Sequence, residues 1–212
     1  ADMDLSAHRI SFPAAERQLA WLGPLLDAYA LMDAAMAVSS LAAARNAGRP
    51  VACGKGCAHC CYQPIPVTQP EVLGLSWFAD AMLESGARAA VAATLAGVGE
   101  AGHVPGVGAA CPFLVQGACA VYPLRPLVCR EYVVLGKPCG PGEDPTSTRP
   151  RDLVRLPKAA QRGAFALMLP LVGITGEREI AEALAQGRML SKVRALQSLD
   201  WTPLLRKMRV RE

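Results

Sequence analysis

Aromatic residues are scarce: four Phe, four Tyr and three Trp make up 5% of 212 residues. A strand-rich core leans on aromatic and β-branched side chains, so this composition, with alanine abundant, points to helices packed on helices. Charge of one sign is also lacking. The formal net charge is only +4, too small a bias to argue for nucleic acid. The longest uncharged stretches, 103–122 and 163–176, are broken by Pro and Gly, and neither reads as a membrane span. The opening "ADMDLSAHRI" begins acidic and lacks the basic-then-apolar layout of a signal peptide. No glycine-rich phosphate loop follows a strand, no nucleophile–base pair shows in the spacing, and there is no internal repeat. What remains is a globular chain, 52% hydrophobic and 19% charged, expected to fold as one domain over 1–212 in the cytoplasm. In that compartment glutathione disfavours stable disulfides.

Cysteine is absent from the first 52 and the last 73 residues. All eight (Cys53, Cys57, Cys60, Cys61, Cys111, Cys119, Cys129 and Cys139) lie between. Packed core cysteines would be scattered wherever a small apolar side chain fits, so the clustering points to metal ligation instead.

Around this centre the sequence reads as helix. Leu25, Leu26, Tyr29, Met32 and Met36 recur at helical spacing from Pro24 to about Asn46. "YQPIPVT" is expected to be extended. Thr68-Gln-Pro-Glu71 has the form of a capping box, opening a second helix with Val72, Leu75, Phe78 and Met82 on one face. Gly86 is expected to separate it from "ARAAVAATLAG", and "GVGEAGHVPGVG" reads as a loop carrying His103. From Gly97 to about Pro157 no sustained period appears, too long an irregular stretch for a compact domain unless something fastens it. Helical signals return in "PKAAQRGAFALML", "GEREIAEALAQG", "MLSKVRALQSL" and "TPLLRKMRVR", the last with Thr202 as N-cap and Pro203 in the first turn. The region 151–212 is basic, with twelve Lys/Arg against six Asp/Glu.

The chemistry concentrates in "CGKGCAHCC", Cys53 to Cys61. Cys57-Ala-His-Cys60 has the C-x2-C spacing that lets two thiolates reach one ion from a tight turn, and Gly54 and Gly56 permit such a turn. Cys60 and Cys61 are adjacent, so their side chains diverge in most backbone conformations and need not serve one ion together. His59 offers an imidazole inside the cluster, although its place in the turn leaves it on the surface. The second half, "CPFLVQGACAVYPLRPLVCREY", adds Cys111, Cys119 and Cys129, and Cys139 follows in "KPCGPG". Arg125, Arg130 and Tyr122 are interleaved with these cysteines and are candidates for contact with a bound cofactor. Guanidinium groups would offset surplus thiolate charge and donate to sulfur; the alternative is surface pairing with Glu131 or Asp152.

This pattern, "CGKGCAHCC" followed by "PIPVTQPE", "CPFL" and "VYPLRPLVCREY", resembles the YkgJ-type cysteine-cluster family of zinc- or iron-chelating domains with a CxxCxxCC signature. The resemblance runs from Cys53 to about Cys139. It implies a bound transition metal or iron–sulfur centre with all eight cysteines as candidate ligands. Some relatives carry such a domain in flagellin lysine methylases, where an iron–sulfur cluster is implied.

Soft thiolates suit zinc and iron–sulfur clusters alike. A closed four-cysteine tetrahedron would be structural zinc. The spacings do not match ferredoxin runs, while the vicinal pair and the excess of thiols favour a polynuclear centre. The expectation is a mainly α protein around a loop-rich core, 53–139, ligated through cysteine to iron–sulfur or zinc and acting in redox or metal handling. A metal-dependent, methyl-transfer-like enzyme is the alternative that the resemblance adds. A third is a zinc-stapled module whose basic tail meets an acidic protein partner; neither membrane nor nucleic acid is indicated.

Overall fold

The computed structural model describes residues 5–54, 56–100 and 109–210. Among them the chain is mainly α-helical, as its composition predicts, with strands of only two residues. A short helix, α1 (Pro13–Gln18), leads into the longest, α2 (Leu22–Ala47). Leu22, Leu25, Leu26, Tyr29, Met32 and Met36 recur every three or four residues along α2 and are buried to 6% exposure or less. Each such Leu or Met contributes about 1.5–3 kcal/mol. The helix stops at Gly48, whose left-handed backbone (φ 60°) turns its N–H back to the carbonyls of Ala44 and Arg45. By length and composition α2 is apolar enough to cross a membrane, yet 50% of its most apolar window is buried inside the protein. It is the core helix.

The cysteine turn follows, then β1 (Pro66–Val67), extended as its prolines predict. The capping box forms at the start of α3 (Gln69–Ala81). The Thr68 N–H donates to Glu71 Oε2 at 2.7 Å, while Oε1 accepts from the Leu127 N–H at 2.7 Å, so Glu71 also anchors a segment far along the chain. Leu75 and Phe78 face inward, whereas Met82, expected beside them, is 42% exposed. The break from α4 (Ser85–Glu100) falls at 82–84, and Gly86 lies in the first turn of α4. Residues 97–100, expected as loop, continue that helix; the rest of the expected loop, His103 included, lies outside the described residues. The few aromatics are pooled. Phe12, Trp21, Trp77 and Phe78 meet edge-on with centroids 5.2 to 6.3 Å apart, fastening α1 and the start of α2 to α3.

Gly74 is where α3 comes closest to α2: a Cβ there would stand 2.6 Å from Leu25 Cδ2. Gly74→Ala is therefore expected to lower stability by about 1–3 kcal/mol, read as a lower denaturant midpoint. An unchanged midpoint would show that Leu25 has room to move.

Between 109 and 157 no long element forms, as expected, but short ones do. β2 (Leu114–Val115) and β3 (Ala118–Cys119) make a hairpin over Gln116-Gly117, both at positive φ (49° and 76°) as a two-residue turn requires. The helices α5 (Leu127–Glu131) and α6 (Pro145–Thr148) follow. The bridge Val51–Leu135 ties the chain just before the cysteine turn to this region, and Val134–Leu153 closes the region on itself. Arg149 fastens it further, bonding Glu143 at 2.6 Å, Asp152 at 3.4 Å and the Lys137 carbonyl at 2.9 Å. Part of the fastening that the sequence assigns to metal is thus done by protein.

The C-terminal region supplies α7 (Lys158–Met168), which packs along α2, and α8 (Glu177–Ala185). The stretch 189–199, grouped with the helices by its sequence, is instead two 3-10 turns flanking β4 (Arg194–Ala195), which pairs antiparallel with β1. Tertiary bonding wins there. The Leu196 N–H donates to the Ile65 carbonyl at 2.8 Å, and the buried Gln197 side chain bonds both the N–H of Ile65 and the carbonyl of Gln63. Finally α9 (Thr202–Val210) packs on α3 and α4, where the buried carboxylate of Asp80 holds Arg88 at 3.1 Å and Lys207 at 3.3 Å.

Candidate metal centre

The cysteine turn is built by backbone. Gly56 adopts φ 86°, the Cys57 N–H closes on the Gly54 carbonyl at 3.1 Å, and residues 59–62 form a 3-10 turn. The second cysteine segment is joined to the first directly: the Cys111 N–H donates to the Cys61 carbonyl at 2.7 Å. Cys119 stands in β3 opposite Leu114, and Cys129 in α5. These pieces line a half-open cavity of about 950 Å³ with Cys53, Cys57, Cys60, Cys61, Cys111, Cys119 and Cys129 in its wall. Cys139 is not part of that wall. It is buried elsewhere, where Arg149 Nη2 approaches its sulfur at 3.5 Å. His59 does not line the cavity and is half-buried rather than on the open surface its place in the turn suggested. His8, Ala7 and Ile10, from the segment before α1, do line it, and no sequence signal pointed to them.

Arg125, Arg130 and Tyr122 also line the cavity. Arg130 has a side chain of 0% exposure, paired with Asp33 of α2 and donating to the carbonyls of Arg125 at 3.0 Å and Pro123 at 2.8 Å. Arg125 bonds the other oxygen of Asp33 at 3.0 Å and lies 4.1 Å over the Tyr122 ring. Their partner is neither of the acids weighed from sequence. Glu131 accepts from Gln161, and Asp152 holds Arg49 and Arg149. Two guanidiniums sharing one carboxylate leave an excess positive charge beside the thiols.

Without a cation these thiols are a poor set of anions. Burial pushes Cys111 up to about 12. It also raises Cys53, Cys119, Cys129 and Cys139. Cys60 moves the other way, to about 7, because the Cys61 thiol donates to its sulfur, and Cys61 is raised in turn. One thiolate surrounded by protonated thiols suits a site that exchanges protons for a soft cation. Among the described residues no three His, Cys, Asp or Glu side chains are gathered tightly enough to hold an ion as they stand.

Seven cysteines nevertheless line one cavity, with Arg125 and Arg130 in the same wall. Thiolates are the donors that zinc and iron–sulfur centres take. Residues 52–149, a little under half of the chain, match the model of the CxxCxxCC family, described as "Putative zinc- or iron-chelating domain", the family that the cysteine pattern resembles. No curated protein and no solved structure matches the chain.

Proposed function

We propose that the cavity holds a polynuclear iron–sulfur centre and that the protein acts in redox chemistry or metal handling. The observation that carries this reading is seven thiols around one space of about 950 Å³. A single tetrahedral ion takes four donors at about 2.3 Å, which would leave three thiols and most of the volume unused. Cys53, Cys57, Cys60, Cys61, Cys111, Cys119 and Cys129 are the candidate ligands. Such a centre would supply one-electron redox chemistry. The protein residues do the rest. Cys60, already favoured as thiolate, would be the first ligand, and Arg125 and Arg130 would offset the charge of the bound sulfurs.

Protein purified without oxygen is expected to be brown, with broad visible absorption and inorganic sulfide. A colourless anaerobic preparation holding stoichiometric zinc and no sulfide would overturn the iron–sulfur reading in favour of a zinc staple.

A further inference from the structure

The segment before α1 borders the cavity without being built into the core. Ala7, His8 and Ile10 stand in the cavity wall together with Asp33, Met36 and Ser40 of α2, and the turn 6–8 packs against that helix. None of residues 5–12 is fully buried, and the segment joins neither of the two-stranded sheets nor an isolated bridge. A stretch with so little buried surface opens locally at low cost. Arg9, between two wall residues, is not itself in the wall. Its guanidinium bonds Asp27 of α2 at 2.5 Å and Glu16 of α1 at 2.7 Å. Glu16 Oε1 also accepts from the Phe12 N–H at 2.7 Å and the Ser11 hydroxyl at 3.2 Å. The Phe12 ring is held edge-on by Trp77 and Phe78. The far end of the segment is thus fixed at Phe12, and Arg9 ties what precedes it to two helices.

We propose that residues 5–11 form a strap that controls access to the cysteine cavity, hinged at Phe12 and latched by the ion pairs of Arg9 with Asp27 and Glu16. Latched, Ala7, His8 and Ile10 complete the cavity edge beside α2; released, they swing away and widen the mouth. The cavity is half-open even so, and the strap therefore screens molecules larger than a free ion, such as a carrier or acceptor of the metal. Only this last clause rests on reading the cavity as a metal centre. Half-exposed ion pairs add little to global stability, which lets the latch release without unfolding the protein. A strap that holds no ligand changes entry and exit together and leaves affinity alone.

Arg9→Met keeps the apolar stem and removes the charge. In the reduced, metal-free full chain, a maleimide carrying a polyethylene glycol chain is expected to modify the cysteines about 3–10-fold faster than in the wild type. Iodoacetamide, small enough to pass the latched strap, is expected to react at the wild-type rate. Protein loaded with cobalt(II) without oxygen, followed by its thiolate charge-transfer absorption, is expected to surrender cobalt to a bulky chelator faster by a similar factor at unchanged equilibrium affinity. Arg9→Lys should restore most of the wild-type behaviour, and Asp27→Asn should give a smaller increase. Wild-type maleimide rates in both Arg9→Met and Asp27→Asn would overturn the strap. So would equal acceleration with iodoacetamide, which signals general loosening, or faster cobalt release matched by an equal loss of affinity. A wild type that shows no thiolate–cobalt absorption would overturn the metal reading instead, and the maleimide rates would still decide the strap.

Discussion

Serine at Cys60 is expected to lose most of the bound metal and to open the centre of the chain to protease. Cys60 is the thiol held nearest its thiolate form, because the Cys61 thiol donates to its sulfur. A structural four-thiolate zinc site is worth about 10–16 kcal/mol, so one ligand's share is roughly 100-fold or more in affinity. Cys57→Ser should behave alike. Metal analysis after anaerobic purification reads the first effect. Limited proteolysis reads the second, with new cuts expected between 109 and 157 while α2 and α7 survive. Acid should mimic the substitution. The thiols whose protonation burial favours must give up protons on binding, so metal retention falls as pH is lowered and rises as it is raised. Wild-type metal content and digestion in both serine variants would remove Cys57 and Cys60 from the ligand set.

Arg130→Met is expected to destabilise the fold itself by about 3–5 kcal/mol. The substitution takes the only fully buried guanidinium among the described residues out of a three-way bond, leaving the carbonyls of Pro123 and Arg125 without a donor. It also leaves Asp33 with Arg125 alone. Against a typical stability of about 5–15 kcal/mol, that loss brings the protein close to unfolding at ambient temperature. Arg125→Met serves as the control, since its side chain keeps 19% exposure and water can replace part of what is lost; about 1 kcal/mol is expected there. Denaturant midpoints decide it. If Arg130→Met falls within about 1 kcal/mol of the wild type, the buried network is not a stabilising feature and its role lies elsewhere.

Features set by neighbours in sequence were legible in it. The Thr68–Glu71 box closes over three residues, and the apolar stripe of α2 repeats within each turn, so both followed from spacing alone. The crowding of the cysteines was legible because all eight fall between 53 and 139. What escaped the sequence depends on partners far along the chain. Asp33 meets Arg130 across 97 positions, and nothing near Asp33 distinguishes it from a solvated helix acid. Arg149 gathers carbonyls and carboxylates that only the folded loops bring together. The 189–199 stretch carries apolar spacing compatible with a helix, yet its backbone is claimed by Ile65, more than a hundred residues earlier.

The shared carboxylate of Asp33 has a consequence for where this protein can be cut. Asp33 belongs to α2, upstream of residue 52, where the family match begins. The segment 52–149 therefore contains every cysteine but not the counter-ion of its own buried arginine. The unit recognised across proteins and the unit that is electrically self-sufficient have different borders here, and the missing piece is borrowed from the core helix.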